Sequence, residues 1–177
     1  MVRAPGQRVE ILDWDPAWAD RFAVTAADVA DAFGDVEAID HVGSTSVPGL
    51  AAKPIIDLLV TVPDIAVADA AVDAMARLGF EALGEFGLKD RRFFRRDDAN
   101  GVRTDHVHCW AVGHVERDRH IAVRDYLAAH AEEAEAYASL KRALVARHGG
   151  DREAYIDGKD AFVKALEARA LAWWRTL

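Results

Sequence analysis

The chain has 177 residues, a formal charge of −8, one cysteine and 51% hydrophobic residues, enough for one well-developed core and too few thiols for an internal disulfide. The acidic balance excludes indiscriminate binding to nucleic-acid phosphates. The opening residues 1–8 lead into charged and aromatic residues rather than an apolar run, so neither a signal peptide nor a membrane span is expected, and a cytoplasmic location is.

Residues 9–12 read as a short strand or an extended arm. Asp15 before Pro16 marks a helix start, and Trp18, Phe22, Val29 and Phe33 recur at near-helical intervals until Gly34 ends the helix. Residues 36–42 and 55–62 are strand-like, and the short irregular turn between them favours antiparallel neighbours. Pro63-Asp64 opens a helix over about 65–78, with Val67, Ala71, Met75 and Leu78 on one face and Gly79 at its end. Residues 80–83 and 92–95 look like short strands, and Asn100-Gly101 like a tight turn. In the longer strand over 104–112, alternation puts His106 and His108 on one face and Val107 and Cys109 on the other. Beyond about residue 119 the chain reads as three helices, 121–130, 131–148 and 154–175. The pattern predicts a single domain of α+β (mixed α/β) class. A small mixed or antiparallel sheet packed on helices spans about 1–115, and C-terminal helices over about 116–177 pack on it.

The chemistry concentrates between the first two strands. Gly43, Pro48 and Gly49 with the hydroxyls of Ser44, Thr45 and Ser46 form a polar turn, and Asp57 interrupts an otherwise apolar strand. A carboxylate there needs a cation or hydrogen-bond donors, because burying a bare charge costs several kcal/mol, roughly. His106 and His108 can meet Asp57 from a neighbouring strand as a set suited to zinc, manganese or iron; the alternative is one core histidine and one facing solvent. His41 either joins the site or braces the turn, and Lys53 either neutralises an anionic ligand or is a solvent-exposed turn lysine. The arginines in 91–96 read as a patch able to hold a nucleotide or as charge protecting an edge strand. Lys141 reads as a surface charge, and Tyr155 with Lys159, four apart, as a tyrosine packed over a lysine stem. Cys109 points away from both histidines, which argues against a nucleophilic role.

The run His41-Val42-Gly43-Ser44-Thr45-Ser46-Val47-Pro48-Gly49-Leu50, followed by Ala52-Lys53-Pro54-Ile55-Ile56-Asp57, resembles the signature of the GrpB family. Later pieces agree in order: Trp14-Asp15-Pro16, Gly79-Phe80, His106-Val107-His108, Arg124-Asp125-Tyr126-Leu127, Tyr137 with Leu140-Lys141, and Tyr155 with Lys159-Asp160-Ala161-Phe162. The resemblance covers nearly the whole chain. It is similar in turn to the nucleotidyltransferase superfamily, which implies a Gly43-Ser44 turn for phosphate and Asp57 as the first metal-binding carboxylate. Leu59 stands at the second carboxylate position, and Asp105, His106 or His108 at the third. The resemblance therefore implies a nucleotidyltransferase-like fold and a pocket for a phosphorylated or anionic small molecule. Its ligand set would be His41, Gly43, Ser44, Lys53, Lys141 and Lys159, with a divalent metal (magnesium, manganese or zinc) on Asp57, His106 and His108. Standard two-metal transfer is not expected with Leu59 in place. Relatives fused to dephospho-CoA kinase imply the alternative of an accessory module, with Trp173 and Trp174 in its interaction surface.

Overall fold

The apolar run after the serine-rich turn becomes the central strand, because nearly every side chain in it has a covered face to occupy. The computed structural model describes residues 8–177, so the reading of residues 1–7 as free of a leader lies outside the described residues. Within them lies a five-stranded sheet of order β1-β2-β5-β4-β3. Its strands are β1 (Ala38–Val42), β2 (Ile56–Val62), β3 (Phe80–Ala82), β4 (Arg92–Asp97) and β5 (Arg103–Ala111). β1 runs antiparallel to β2, as the short turn predicts, with Val42 opposite Asp57. β2 and β5 are parallel, with Asp57 opposite His106 and Leu59 opposite His108. β4 is antiparallel to both β5 and β3, so the sheet is mixed.

Strand alternation divides the sheet into two faces. Ile56, Leu58, Val60, Val62, Val107 and Cys109 pack on one side against α1 (Ala17–Phe33) and the short helices α2 (Ala66–Ala70) and α3 (Val72–Arg77). Trp18, Val29, Phe33 and Met75 complete this core, each large buried side chain contributing about 1.5–3 kcal/mol. Asp57, Leu59, His106, His108 and Trp110 face the other side, under α4 (Val115–Ala129), α5 (Ala131–His148) and α6 (Arg152–Trp174). There Leu59 packs with Val42, Trp110 and Ile121, so the position of the missing second carboxylate is part of an apolar cluster.

Several elements differ from their sequence reading. The helix over 65–78 is divided at Ala71, whose N–H is shared between Val67 O at 3.1 Å and Ala68 O at 3.2 Å, a tightening of the helical turn. Helix α4 starts at Val115, with the His114 side chain accepting from Glu116 N at 3.2 Å as its cap. Residues 9–12 are an arm rather than a strand: Leu12 bridges Ala52, and Val9 N–H donates to Gly150 O at 2.9 Å. β4 is not an edge, since β3 covers it, and its arginines are paired individually. Arg92 holds Asp69, Arg95 holds Glu81 and Arg96 holds Asp105, which dissolves the basic patch. Trp173 packs edge-on against Tyr126 at 5.7 Å and Trp174 against the Trp110 cluster, so both indoles are engaged within the chain. No helix of the described residues is long and apolar enough to cross a membrane.

Candidate metal and anion site

Gly43 has φ +73°, and a Cβ built on it would lie 2.6 Å from Asp57 Oδ2. Glycine alone lets the turn lie against that carboxylate. Ser44–Ser46 then form a single 3₁₀ turn, tied down by Ser46 N–H donating to Gly43 O at 3.1 Å and Trp14 Nε1–H donating to Thr45 O at 3.3 Å. His41 braces this turn. Its Nε2 lies 2.9 Å from Thr45 Oγ1, and its ring stacks on Phe22 of α1 at 4.7 Å. It therefore sits on the sheet face opposite Asp57, outside the cavity lining, and burial lowers its pKa to about 4.

Parallel pairing of β2 with β5 sets three donors side by side. His106 Nδ1 lies 3.1 Å and His108 Nε2 3.4 Å from Asp57 Oδ1. Burial alone would raise the Asp57 pKa, but the hydrogen bonds and charges of the two histidines outweigh it and hold the carboxyl well below the usual range. One ligand atom from each residue lies within 4.8 Å of the others. Four ligands of a tetrahedral zinc stand roughly 3.3 Å apart, so these separations fit one cation. Two imidazoles with a single carboxylate suit zinc or manganese better than magnesium, which prefers six oxygens. Asp105 is absent from this set because it points to the opposite face, where Arg96 and Thr25 hold it at 3.0 and 3.4 Å.

Next to Asp57 a cavity of about 300 Å³ collects Gly43, Ser44, Lys53, His106, Lys141 and Lys159, with Tyr137 and Tyr155 in its wall. That volume is at the small end of ligand sites, about 300–1,000 Å³. Lys141 is not a surface charge. It is 2% exposed, and its Nζ donates to Ser44 Oγ at 2.9 Å and to Ala51 O. Burial, then the charges of Lys159 and Lys53, bring its pKa down to about 7. Burial and Lys159 bring Lys53 to about 8, and burial lowers Lys159 as well. Tyr137 lies under Lys141 at 4.3 Å, while Lys53 and Lys159 both lie over Tyr155, at 5.5 and 5.4 Å. Three cations thus converge on one carboxylate.

The cavity unites six of the nine residues read as site residues with Asp57, and His108 sits behind them; His41 is the one turned away. The sequence pattern reads Tyr155 as packing over a lysine stem, and the place of Tyr137 and Tyr155 in the wall has a signal. Tyr137, Lys141 and Leu144 follow at i, i+4, i+7, as do Tyr155, Lys159 and Phe162, placing both lysines on apolar stripes. His120, whose ring is 4.9 Å from His108, carries no comparable signal. Cys109 is buried on the far face, and burial pushes its thiol up to about 12, which removes it from nucleophilic chemistry.

This fold and site define a class. The structure superposes on a Cid1 poly(U) polymerase determined with MgATP at a TM-score of 0.50 and 11% identity, over 73% of this chain and 45% of that one, a likeness that shows a nucleotidyltransferase fold. It superposes on the conserved protein GrpB of Enterococcus faecalis at a TM-score of 0.88 and 37% identity, over 93% of this chain and 99% of that one. The GrpB protein family pattern matches residues 8–169, and the chain belongs to that family. Its relatives include the UPF0157 protein YqkA of Bacillus subtilis, 39% identical over 96% of this chain and 49% of that protein. A UPF0157 protein of Pseudomonas aeruginosa is 40% identical over 96% of this chain and 70% of its own length. The chain therefore spans about half the length of the Bacillus relative.

Proposed function

We propose that the chain binds a phosphorylated small molecule in the lysine-lined cavity, together with one divalent cation at Asp57, His106 and His108, as a transferase of altered metal chemistry. The observation that carries this reading is that Lys53, Lys141 and Lys159 line one cavity with Ser44 and Asp57, where burial and neighbouring cations lower their pKa values and an anion would offset that cost. In this reading Lys141 and Ser44 bind the phosphate, Lys53 and Lys159 neutralise it, and the tyrosines keep the lysine stems in place. Asp57 is held ionised at neutral pH by the two histidines, which suits it to holding the cation rather than to taking a proton. The cation would polarise a phosphoryl oxygen. Leu59 supports a single-cation site, because no carboxylate stands two residues after Asp57. Calorimetry with ATP, UTP and inorganic phosphate, each with manganese, zinc or magnesium, tests the reading. Binding that is lost in Asp57→Ala for the metal and weakened for the phosphate compounds supports it, and no binding by any of them refutes it.

A second reading rests on one comparison. A protein named dephospho-CoA kinase, from Mycolicibacterium paratuberculosis, is 27% identical over 98% of this chain and 48% of its own length. On that reading the chain acts as an accessory module for such a kinase. A change in kinase turnover on adding the chain, reproduced by Asp57→Ala, would favour it over a cavity-based activity.

A further inference from the structure

The lysine cavity shares its back wall with a second, wider groove. The groove, about 790 Å³, lies on the α1 face of the sheet, between α1 and the β4–β5 hairpin. Pro54 and Thr104 line the groove, whereas Lys53, Ile55 and His106 line the cavity. Alternate residues of the same two backbone segments thus face opposite openings. These segments lead into the pairing of β2 with β5, whose register begins at Ile56 opposite Asp105. No rung of the ladder precedes that pair, and Pro54 has no N–H with which to make one.

Arg21 of α1 bridges the two segments at that point. Its Nη1 donates to Pro54 O at 3.3 Å and its Nη2 to Thr104 O at 3.2 Å. A guanidinium carries its donors in a rigid planar fork, so one side chain fixes the spacing of both carbonyls. No carboxylate among the described residues pairs with Arg21, so the bridge is made to backbone alone. The other side of Lys53 is held separately, by Ala52 and Leu12, which exchange two backbone hydrogen bonds of 2.9 Å. Lys53 lies between these two anchors, and the Arg21 anchor is the one that ties it to the strand of His106. We propose that Arg21 is a positioning residue of the cavity, acting from the opposite face of the sheet. It sets the spacing of the Lys53 segment from β5, and through it the place of the Lys53 ammonium beside Ser44 and Asp57. The inference rests on the phosphate reading above.

Calorimetric titration of inorganic phosphate into the wild type, Arg21→Ala, Lys53→Met and the double variant, with and without ethylguanidinium, tests it. Arg21→Ala is expected to bind phosphate on the order of tenfold more weakly than the wild type. Because Arg21 acts through Lys53, the double variant should bind no more weakly than Lys53→Met alone. The open groove admits a free guanidinium to the two carbonyls, so ethylguanidinium should restore phosphate affinity to Arg21→Ala. Ethylammonium, with the same charge but no planar fork, should not. Arg21→Lys, whose single ammonium lacks that fork, carries the same comparison if Arg21→Ala does not fold. Unchanged phosphate affinity in the Arg21 variant, losses that add in the double variant, or equal rescue by ethylammonium would overturn the inference and leave the phosphate reading standing. No phosphate binding by the wild type would remove both.

Discussion

Gly43 and Asp57 compete for one position: a methyl group at residue 43 would lie 2.6 Å from Asp57 Oδ2 and 3.2 Å from its Cβ. The turn that carries Ser44 is thereby locked to the carboxylate that meets both histidines. Gly43→Ala adds the cost of a side chain at φ +73° to that clash. It is expected to destabilise the fold by about 1–3 kcal/mol and to displace Asp57. Chemical denaturation reads the first effect, and loss of metal affinity in the folded variant reads the second.

Lys141 costs the free protein stability. It ionises near 7 in the fold against 10.5 for the free side chain, so between those values the unfolded chain binds more protons and stability rises with pH. Lys141→Met is therefore expected to stabilise the ligand-free fold by roughly 1–4 kcal/mol below pH 7, with the gain shrinking as pH rises towards 10.5. Thermal unfolding of both proteins from pH 6 to 10, about the span of these values, checks the sign.

Much of the site could be read from the chain. The Gly43 turn, the single charged side chain in an apolar strand, and the alternation of His106 and His108 are local patterns with local causes. The parallel pairing of β2 with β5 is not local, since the 40 residues of helix, strand and loop over 63–102 separate Val62 from Arg103 and pairing depends on how they pack. Lys141 enters the ligand set only through the family resemblance, because a lysine on a helix is ordinarily solvated; its burial follows from Ser44 and Ala51 O being brought to it by a distant turn. Of the two readings of His41, bracing the turn is the one the structure shows, because alternate residues of β1 face opposite sides and His41 lies opposite Leu58 rather than Asp57.

His41 contributes an acid-sensitive share of stability. Burial lowers its pKa to about 4 from 6.5, so the unfolded chain binds the extra proton first and stability falls as pH drops through that window. His41→Phe keeps the stack on Phe22 and removes the titrating nitrogen. Its unfolding midpoint is expected to vary less with pH between 6.5 and 4 than that of the wild type.

Cys109 should be silent in the native state. Its buried thiol, pushed up to about 12, is expected to resist a thiol reagent at pH 8 until denaturant is added, and rapid native labelling would show that the α1 face of the sheet opens.

On the proposed reading the buried Lys141 and the half-buried Lys53 and Lys159 form one phosphate site, whose signature is a proton. Lys141 and Lys53 ionise near 7 and 8, so at pH 8 an incoming phosphate must bring protons with it. Titrating ATP calorimetrically at that pH in two buffers of different ionisation enthalpy measures the uptake. The account predicts net proton uptake in the wild type, with Lys141→Met taking up less and binding on the order of tenfold more weakly. ATP that binds without proton uptake and equally well to Lys141→Met would contradict it.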